Sequence, residues 1–272
     1  QSFSTFAGNP YYIDLESLVQ AGYLTEQDCE QYDFGGDDVY VDYEKIYLSR
    51  FKVLKKAFQN SQIEKDEAYQ EFVEANAYWL KDYALYMAVK NAFGGKSWAE
   101  WDEDIRIRKE EALKGYAEKY AEEVAFYQFQ QYLFAKQWFA LKAYANQKKI
   151  EIIGDIPIYV AFDSSDTWAN PELFQLDETL TPVAVAGCPP DAFSATGQLW
   201  GNPLYRWDHH KETDYEWWMK RIAYCYKLYD VVRIDHFRGF DEYYSIPFGD
   251  ETAEFGRWEK GPGYDIFQTM KA

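Results

Sequence analysis

The sequence predicts an α/β fold, and three observations predict it. From about residue 43 to 148, apolar residues recur at three- and four-residue spacing, the plan of amphipathic helices. After Ile150 the texture changes to two apolar, β-branched runs, residues 150–160 and 228–235. A helical stretch over 215–226 leads into the second run. The two runs therefore read as parallel strands of a βαβ crossover with long insertions between them.

Each zone has its own justification. Residues 1 to about 43 are turn-rich, punctuated by Gly8-Asn9-Pro10 and by the acidic run from Asp33 to Asp38, with one short helix near 15–22 that Gly22 stops. Three helical series follow: Ile46, Tyr47, Phe51, Leu54 and Phe58; then Phe72, Trp79, Leu80, Tyr83 and Met87; then Tyr120, Val124, Tyr127, Phe134, Trp138 and Leu141. Their aromatic stripes read as core rather than as a ligand platform. Gly94-Gly95-Lys96-Ser97 ends like a phosphate-binding loop, but the full Gly-x4-Gly-Lys-Ser spacing and the preceding strand are missing. It reads as a helix–helix turn, with Ser97 capping the next helix. Residues 150–160 read as a buried strand interrupted by Asp155. About sixty residues of loop and short elements, rich in Pro, Gly and Trp, lie between the two strands. Long loops after strand ends are where such folds place their sites.

Composition narrows the function. The chain has 272 residues, 47% of them hydrophobic, so it has enough apolar side chains for a substantial core. A net charge of −18 argues against nucleic acid or an anionic membrane as partner. It suits a neutral or cationic substrate, and 10 Trp and 25 Tyr are compatible with stacking on sugar faces as well as with packing. Cys29, Cys188 and Cys225 form no CxxC pair, and there are only three histidines, so neither a disulfide framework nor a metal site is indicated. No apolar run has the length of a membrane span, and a cytoplasmic location is the expectation. Neither terminus resembles a natural end: the chain begins at Gln1 in loop-like sequence, and its last eight residues form an amphipathic helix without a stop. These features suggest an internal piece of a longer protein.

The chemistry concentrates in Val231-Val232-Arg233-Ile234-Asp235-His236-Phe237-Arg238-Gly239-Phe240. Side chains alternate along a strand, so Arg233 and Asp235 share one face while Val232 and Ile234 share the other. A carboxylate at the C-terminal end of a strand, beside an arginine that favours its charged form, suits an ionised nucleophile. A structural ion pair at a strand end has the same pattern. Asp155 needs a partner within its apolar strand, and either sugar hydroxyls, Arg233 or the backbone of the following loop would provide one. The loop over 187–203 adds Asp191, Gln198, Trp200 and Asn202, residue types that stack on and hydrogen-bond a polyhydroxylated ligand.

Three of these segments resemble the signature segments of the 4-α-glucanotransferases, also called amylomaltases or disproportionating enzymes. They are Gly154-Asp155-Ile156-Pro157-Ile158-Tyr159-Val160, the Pro-Pro-Asp-x-Phe-Ser-x-Thr-Gly-Gln-x-Trp-Gly-Asn-Pro loop ending at Pro203, and Arg233-Ile234-Asp235-His236-Phe237-Arg238-Gly239. The opening run from Gln1 to Pro10 and the stretch 256–263 resemble the same family, so the likeness spans the chain. It implies part of a (β/α)8 barrel of the α-amylase clan with a large helical insertion. The insertion subdomain would occupy 1–148, and 149–272 would carry the third and fourth barrel strands with their substrate loops.

The resemblance also implies roles. Asp235 matches the catalytic nucleophile, Arg233 the arginine beside it and His236 the histidine after it. Asp155 matches the aspartate of the preceding strand, and Trp200 and Asn202 match substrate-loop positions. The implied substrates are malto-oligosaccharides and other α-1,4-glucans, without metal or organic cofactor. The implied reaction is transfer of a glucan segment to a 4-hydroxyl through a retaining double displacement. Trp200 and Tyr205 are aromatics suited to organising an acceptor. The family's general acid/base glutamate, on the next strand, matches no segment here, so these residues alone are expected to be inactive and, with open strand edges, prone to aggregate. An α-glucan hydrolase of the same clan and a non-catalytic α-glucan-binding protein are the alternative readings; protein partners are not indicated.

Overall fold

The computed structural model describes residues 2–37 and 39–271. Gln1, Asp38 and Ala272, over which the opening motif, the acidic run and the helix expected at the end of the sequence extend, lie outside the described residues. The chain clusters into two compact units. One holds residues 7–88 and 116–143; the other holds the segment ending at Phe6, residues 89–115, and everything from Tyr144 onward. Residues 89–115, helical in texture, thus cluster with the strands that follow Lys148.

Before the first strand come α1 (Leu15–Gln20), α2 (Glu26–Glu30), α3 (Tyr43–Ser61), α4 (Glu67–Ala75), α5 (Ala77–Ala92), α6 (Glu103–Arg106), α7 (Glu110–Lys119) and α8 (Ala121–Gln147). Side-chain oxygens of Asp14, Thr25, Asp42 and Asp66 accept from backbone N–H groups three residues on, at the starts of α1 to α4. Each satisfies a donor that the helix itself leaves unpaired. Past α1, Gly22 adopts the left-handed conformation expected of a stop. Ile13, Leu18, Val53, Leu54, Phe126 and Phe129 form the core of the helical unit. Gln131 of α8 binds both the N–H and the carbonyl of Gly8, at 2.8 and 3.0 Å. Gln137 does the same for Asp14, at 2.7 and 3.1 Å, so the turn-rich segment has a fixed anchor.

Ser97 caps only a 3-10 turn, Trp98–Glu100, and not the longer helix expected from sequence. Trp98 is fully buried and donates its indole N–H to the Phe162 carbonyl at 2.7 Å, and this tertiary anchor holds the turn in place of a continued helix.

The remaining elements are β1 (Ile153–Pro157), α9 (Ser165–Ala169), β2 (Ala184–Cys188), β3 (Gln198–Pro203), α10 (Trp207–Glu212), α11 (Glu216–Leu228), β4 (Val231–Asp235), β5 (Glu242–Pro247), β6 (Arg257–Lys260) and α12 (Asp265–Lys271). β1 and β4 pair in parallel, from Ile153↔Val231 to Pro157↔Asp235, with α11 leading into β4. This is the crossover that the sequence predicts. The buried strand expected over 150–160 is instead five residues long and exposed at alternate positions, with Ile153 67% exposed. Among the described residues β1 pairs only with β4, which leaves its other edge open, and its alternating burial shows that one face packs and the other does not. On the packed face Gly154 is required, because a Cβ there would run into the Tyr229 ring.

An antiparallel sheet of order β3-β2-β5-β6 occupies much of what reads as loop. Its strands are short and broken by glycine and proline, which hides the alternation that marks a strand. Gly187 lets β3 approach closely: the Gln198 carbonyl lies where a Cβ would stand. Phe174, Leu204, Tyr205, Trp218, Phe240 and Ile266 belong to the core of this unit. Among the described residues no helix is long and apolar enough to cross a membrane.

Candidate active site

The C-terminal ends of β1 and β4 lie side by side, and the alternation along each decides what they present. Val232 and Ile234 turn toward the packed side of β4, while Arg233 and Asp235 turn away from it. Asp155 is likewise on the open side of β1. The pairing sets Asp155 opposite Arg233, and Pro157 opposite Asp235.

A single guanidinium joins the two carboxylates. Arg233 donates from Nη1 to Asp155 Oδ2 at 2.6 Å and from Nη2 to Asp235 Oδ1 at 3.1 Å. Such charge-assisted bonds orient both acceptors. The side chains of Asp155, Arg233 and Asp235 are 53%, 62% and 62% exposed, so the array is open rather than enclosed, unlike the buried strand ends expected from sequence. Asp235 Oδ2 takes no hydrogen bond from the described residues, which leaves one carboxylate oxygen available as a nucleophile or hydroxyl acceptor.

His236 follows directly in a left-handed conformation, φ 52°, which a non-glycine residue adopts at a cost and which turns the chain sharply out of β4. Its ring meets Trp200 edge-to-face, centroids 4.9 Å apart, and lies 6.4 Å from Tyr159. Burial pushes the imidazole below its ordinary value, against the pull of the Asp235 charge and with that of Arg238. At neutral pH it is an uncharged ring able to donate or accept a hydrogen bond.

Trp200 arrives from β3, and its ring also approaches Tyr159 at 6.3 Å. Asn202 donates its amide to the Val160 carbonyl at 2.8 Å, tying the β2–β3 hairpin to the segment that leaves β1. The structure thus brings together Asp155, Arg233 and Asp235 as one array and His236 with Trp200 as a second, with Asn202 anchoring the hairpin. Asp191 builds its own turn, accepting from the N–H groups of Phe193 and Ser194, both at 2.8 Å. Gln198 accepts from the Trp200 indole at 3.1 Å. Tyr205 departs from expectation. It is 1% exposed and donates its hydroxyl to the Ile158 carbonyl at 2.7 Å, so it belongs to the frame and not to a ligand surface.

Tyr159 and Arg221 emerge only from the structure. Tyr159 lies within ring contact of both Trp200 and His236, and nothing in its apolar strand sequence marks it. Arg221 lies among the inward-facing residues of α11, between Trp217 and Leu228. A charged residue in the apolar phase of a helix was the available signal. Among the described residues no group of three or more His, Cys, Asp or Glu is gathered as a metal would need.

Comparison with known proteins places these observations in a family. The family model described as 4-alpha-glucanotransferase matches residues 1–272. The 4-alpha-glucanotransferase of Clostridium butyricum is 50% identical over 272 residues, covering 100% of this chain and 56% of the relative. That of Thermus thermophilus is 48% identical, covering 100% of this chain and 54% of the relative. Among solved structures, an amylomaltase from Streptococcus agalactiae in complex with acarbose superposes with a TM-score of 0.95 at 46% identity, covering 100% of this chain and 55% of that one. An amylomaltase from Corynebacterium glutamicum shares the fold, with a TM-score of 0.77 at 18% identity. The fold is accordingly α/β, part of a (β/α)8 barrel of the amylase clan. The chain spans about half the length of the curated relatives it matches. By sequence over its whole length and by structure, the chain belongs to the 4-alpha-glucanotransferase family.

Proposed function

We propose that the whole protein transfers segments of α-1,4-glucan from a donor malto-oligosaccharide to the 4-hydroxyl of an acceptor glucan or glucose. The observation that carries this reading is the Asp155–Arg233–Asp235 array at the ends of two parallel strands, with one Asp235 oxygen open. The likeness to an amylomaltase solved with acarbose supports a glucan-like ligand for this face.

In this reading Asp235 attacks the anomeric carbon, a C–O bond forms, and the bond to the leaving 4-oxygen breaks. The leaving oxygen takes its proton from a general acid; the glutamate that the resemblance implies for this role has no counterpart among the 272 residues. A second 4-hydroxyl then attacks the glycosyl-enzyme, returns a proton to the group that protonated the leaving oxygen, and frees the Asp235 carboxylate. Two inversions retain the anomeric configuration. Arg233 orients the nucleophile and Asp155 orients Arg233. Trp200 and His236 offer an aromatic edge and a neutral hydrogen-bonding ring to the sugar, and Asn202 fixes the hairpin that carries Trp200. The substrate is neutral, in keeping with the net charge of −18, and the reaction calls for neither metal nor organic cofactor. A cytoplasmic place of action goes with it.

The test is product analysis of maltotriose with the protein at the full length of its relatives. Transfer yields glucose together with chains longer than maltotriose. Shorter products alone would assign a hydrolase, and bound but unaltered maltotriose would assign a glucan-binding protein.

A further inference from the structure

Arg221 is 2% exposed, its guanidinium carbon 4.7 Å from the Trp218 ring centroid and 5.6 Å from that of Trp217. Burying a guanidinium is costly unless its donors are matched. Among the described residues no carboxylate hydrogen-bonds them, although the buried Asp166 carboxyl lies within electrostatic reach, and Nε has no hydrogen-bond partner. Nη1 donates to the Ile158 carbonyl at 3.0 Å and to the Tyr205 hydroxyl at 3.3 Å, and Nη2 donates to the Pro157 carbonyl. Tyr205 donates in turn to Ile158, and Asn202 to Val160. Three carbonyls at and just beyond the end of β1 are therefore held by side chains.

Those carbonyls lie at the level of the site. Pro157 is the register partner of Asp235, and Asp155, two residues earlier on the same strand, carries one end of the Arg233 bridge. A strand end held only by solvent would let Asp155 shift, and Arg233 and Asp235 with it. The planar fork of arginine grips two successive carbonyls at once, which a lysine cannot do in the same geometry.

We propose that Arg221 is a positioning residue for the reaction: by clamping the Pro157 and Ile158 carbonyls it fixes the C-terminal end of β1 and, through Asp155 and Arg233, the placement of the Asp235 carboxylate. This role rests on the glucan-transfer reading, because the site it serves is the one assigned there. It acts through other residues and touches no reacting atom.

The test compares Arg221→Lys and Arg221→Met with the unaltered protein, each at the full length of its relatives. The number of active sites is titrated and kcat is taken per titrated site, since a purely structural role would lower the count of active sites and leave the rate of each unchanged. Lysine keeps the charge and the stem, so this variant is expected to fold. Its kcat per site for maltotriose disproportionation is expected to fall about ten- to a hundredfold, with KM within about threefold. A per-site kcat within about twofold of the unaltered protein would overturn the proposal. A crystal structure of Arg221→Lys gives an arm independent of activity: the Pro157 carbonyl is expected to move and the Arg233–Asp155 bond to open. An unmoved strand end would overturn the proposal even if the unaltered protein transferred no glucan. Absence of transfer by the unaltered protein, with the strand end displaced in the variant, would count against the glucan-transfer reading and for the clamp.

Discussion

Arg233 and Arg221 belong to the same unit and lie close to the same pair of strands, yet they solve opposite problems. Arg233 is more than half exposed and gives its donors to the side chains of Asp155 and Asp235. Arg221 is buried against tryptophans and gives its donors to backbone carbonyls and a tyrosine hydroxyl. A guanidinium between exposed carboxylates leaves those carboxylates reachable by a ligand, at the cost of mobility and screening by solvent. One buried among carbonyls is unreachable but rigid. In the proposed mechanism the first is a group beside the substrate and the second a group that holds the strand end beneath it.

Breaking the exposed side of this comparison has the largest expected effect. Arg233→Met removes both bridging bonds and should lower kcat/KM for glucan transfer about a hundredfold, with the fold retained, because the side chain lies mostly in solvent. Arg233→Lys should recover part of that loss. Steady-state kinetics together with circular dichroism checks both; a methionine variant within about threefold of the unaltered protein would remove Arg233 from the mechanism.

The buried side is sharpened by pH. Asp166 accepts from the Thr5 N–H at 2.7 Å, and burial pushes its carboxyl up to about 6, against the pull of that bond and of the Arg221 charge. Burial pushes His210 down to about 4 from an ordinary 6.5, despite its bond to the Leu173 carbonyl. The signs oppose. For Asp166 the folded state holds its proton more tightly, so its contribution to stability declines as pH rises from about 4 to 6. For His210 the unfolded state holds the proton more tightly, so its contribution is lost as pH falls from about 6.5 to 4. The two therefore offset one another between pH 4 and 6. In Asp166→Asn the remaining His210 effect should make stability rise with pH across that window, by roughly 1 to 3 kcal/mol. In His210→Phe the slope should change in the opposite direction, relative to the unaltered protein. Denaturant melts at three or four pH values check this, and slopes that do not separate would show that neither group stays buried on its own terms.

How much of this is visible in the sequence depends on periodicity. Arg233 and Asp235 share a face because strand side chains alternate, and Asp155 marks itself by interrupting an otherwise apolar strand. The crossover joining β1 to β4 follows from a helical period between two β-branched runs. The hairpin of β2 and β3 is not legible, since Gly187, Gly201 and Pro203 break its pattern, and the other partner of β2, β5, is distant in sequence. The strands β5 and β6 are missed for similar reasons, being short and bounded by irregular turns. Tyr205 shows the limit of residue type as a guide: an aromatic beside a substrate loop has the same sequence appearance whether it faces a sugar or, as here, the interior. Arg221 was marked only by being charged where α11 is otherwise apolar, and its three acceptors come from segments remote in sequence.

The most direct measurement is to trap the intermediate. The protein at the full length of its relatives is incubated with a fluorinated glucosyl fluoride, whose glycosyl-enzyme turns over slowly, and its peptides are mapped by mass spectrometry. One glycosyl adduct is expected, on Asp235, and none in Asp235→Asn, which should still bind glucan while transferring at least about a thousandfold more slowly. An adduct on any other carboxylate, or an asparagine variant that keeps more than a few per cent of the transfer rate, would contradict Asp235 as the nucleophile.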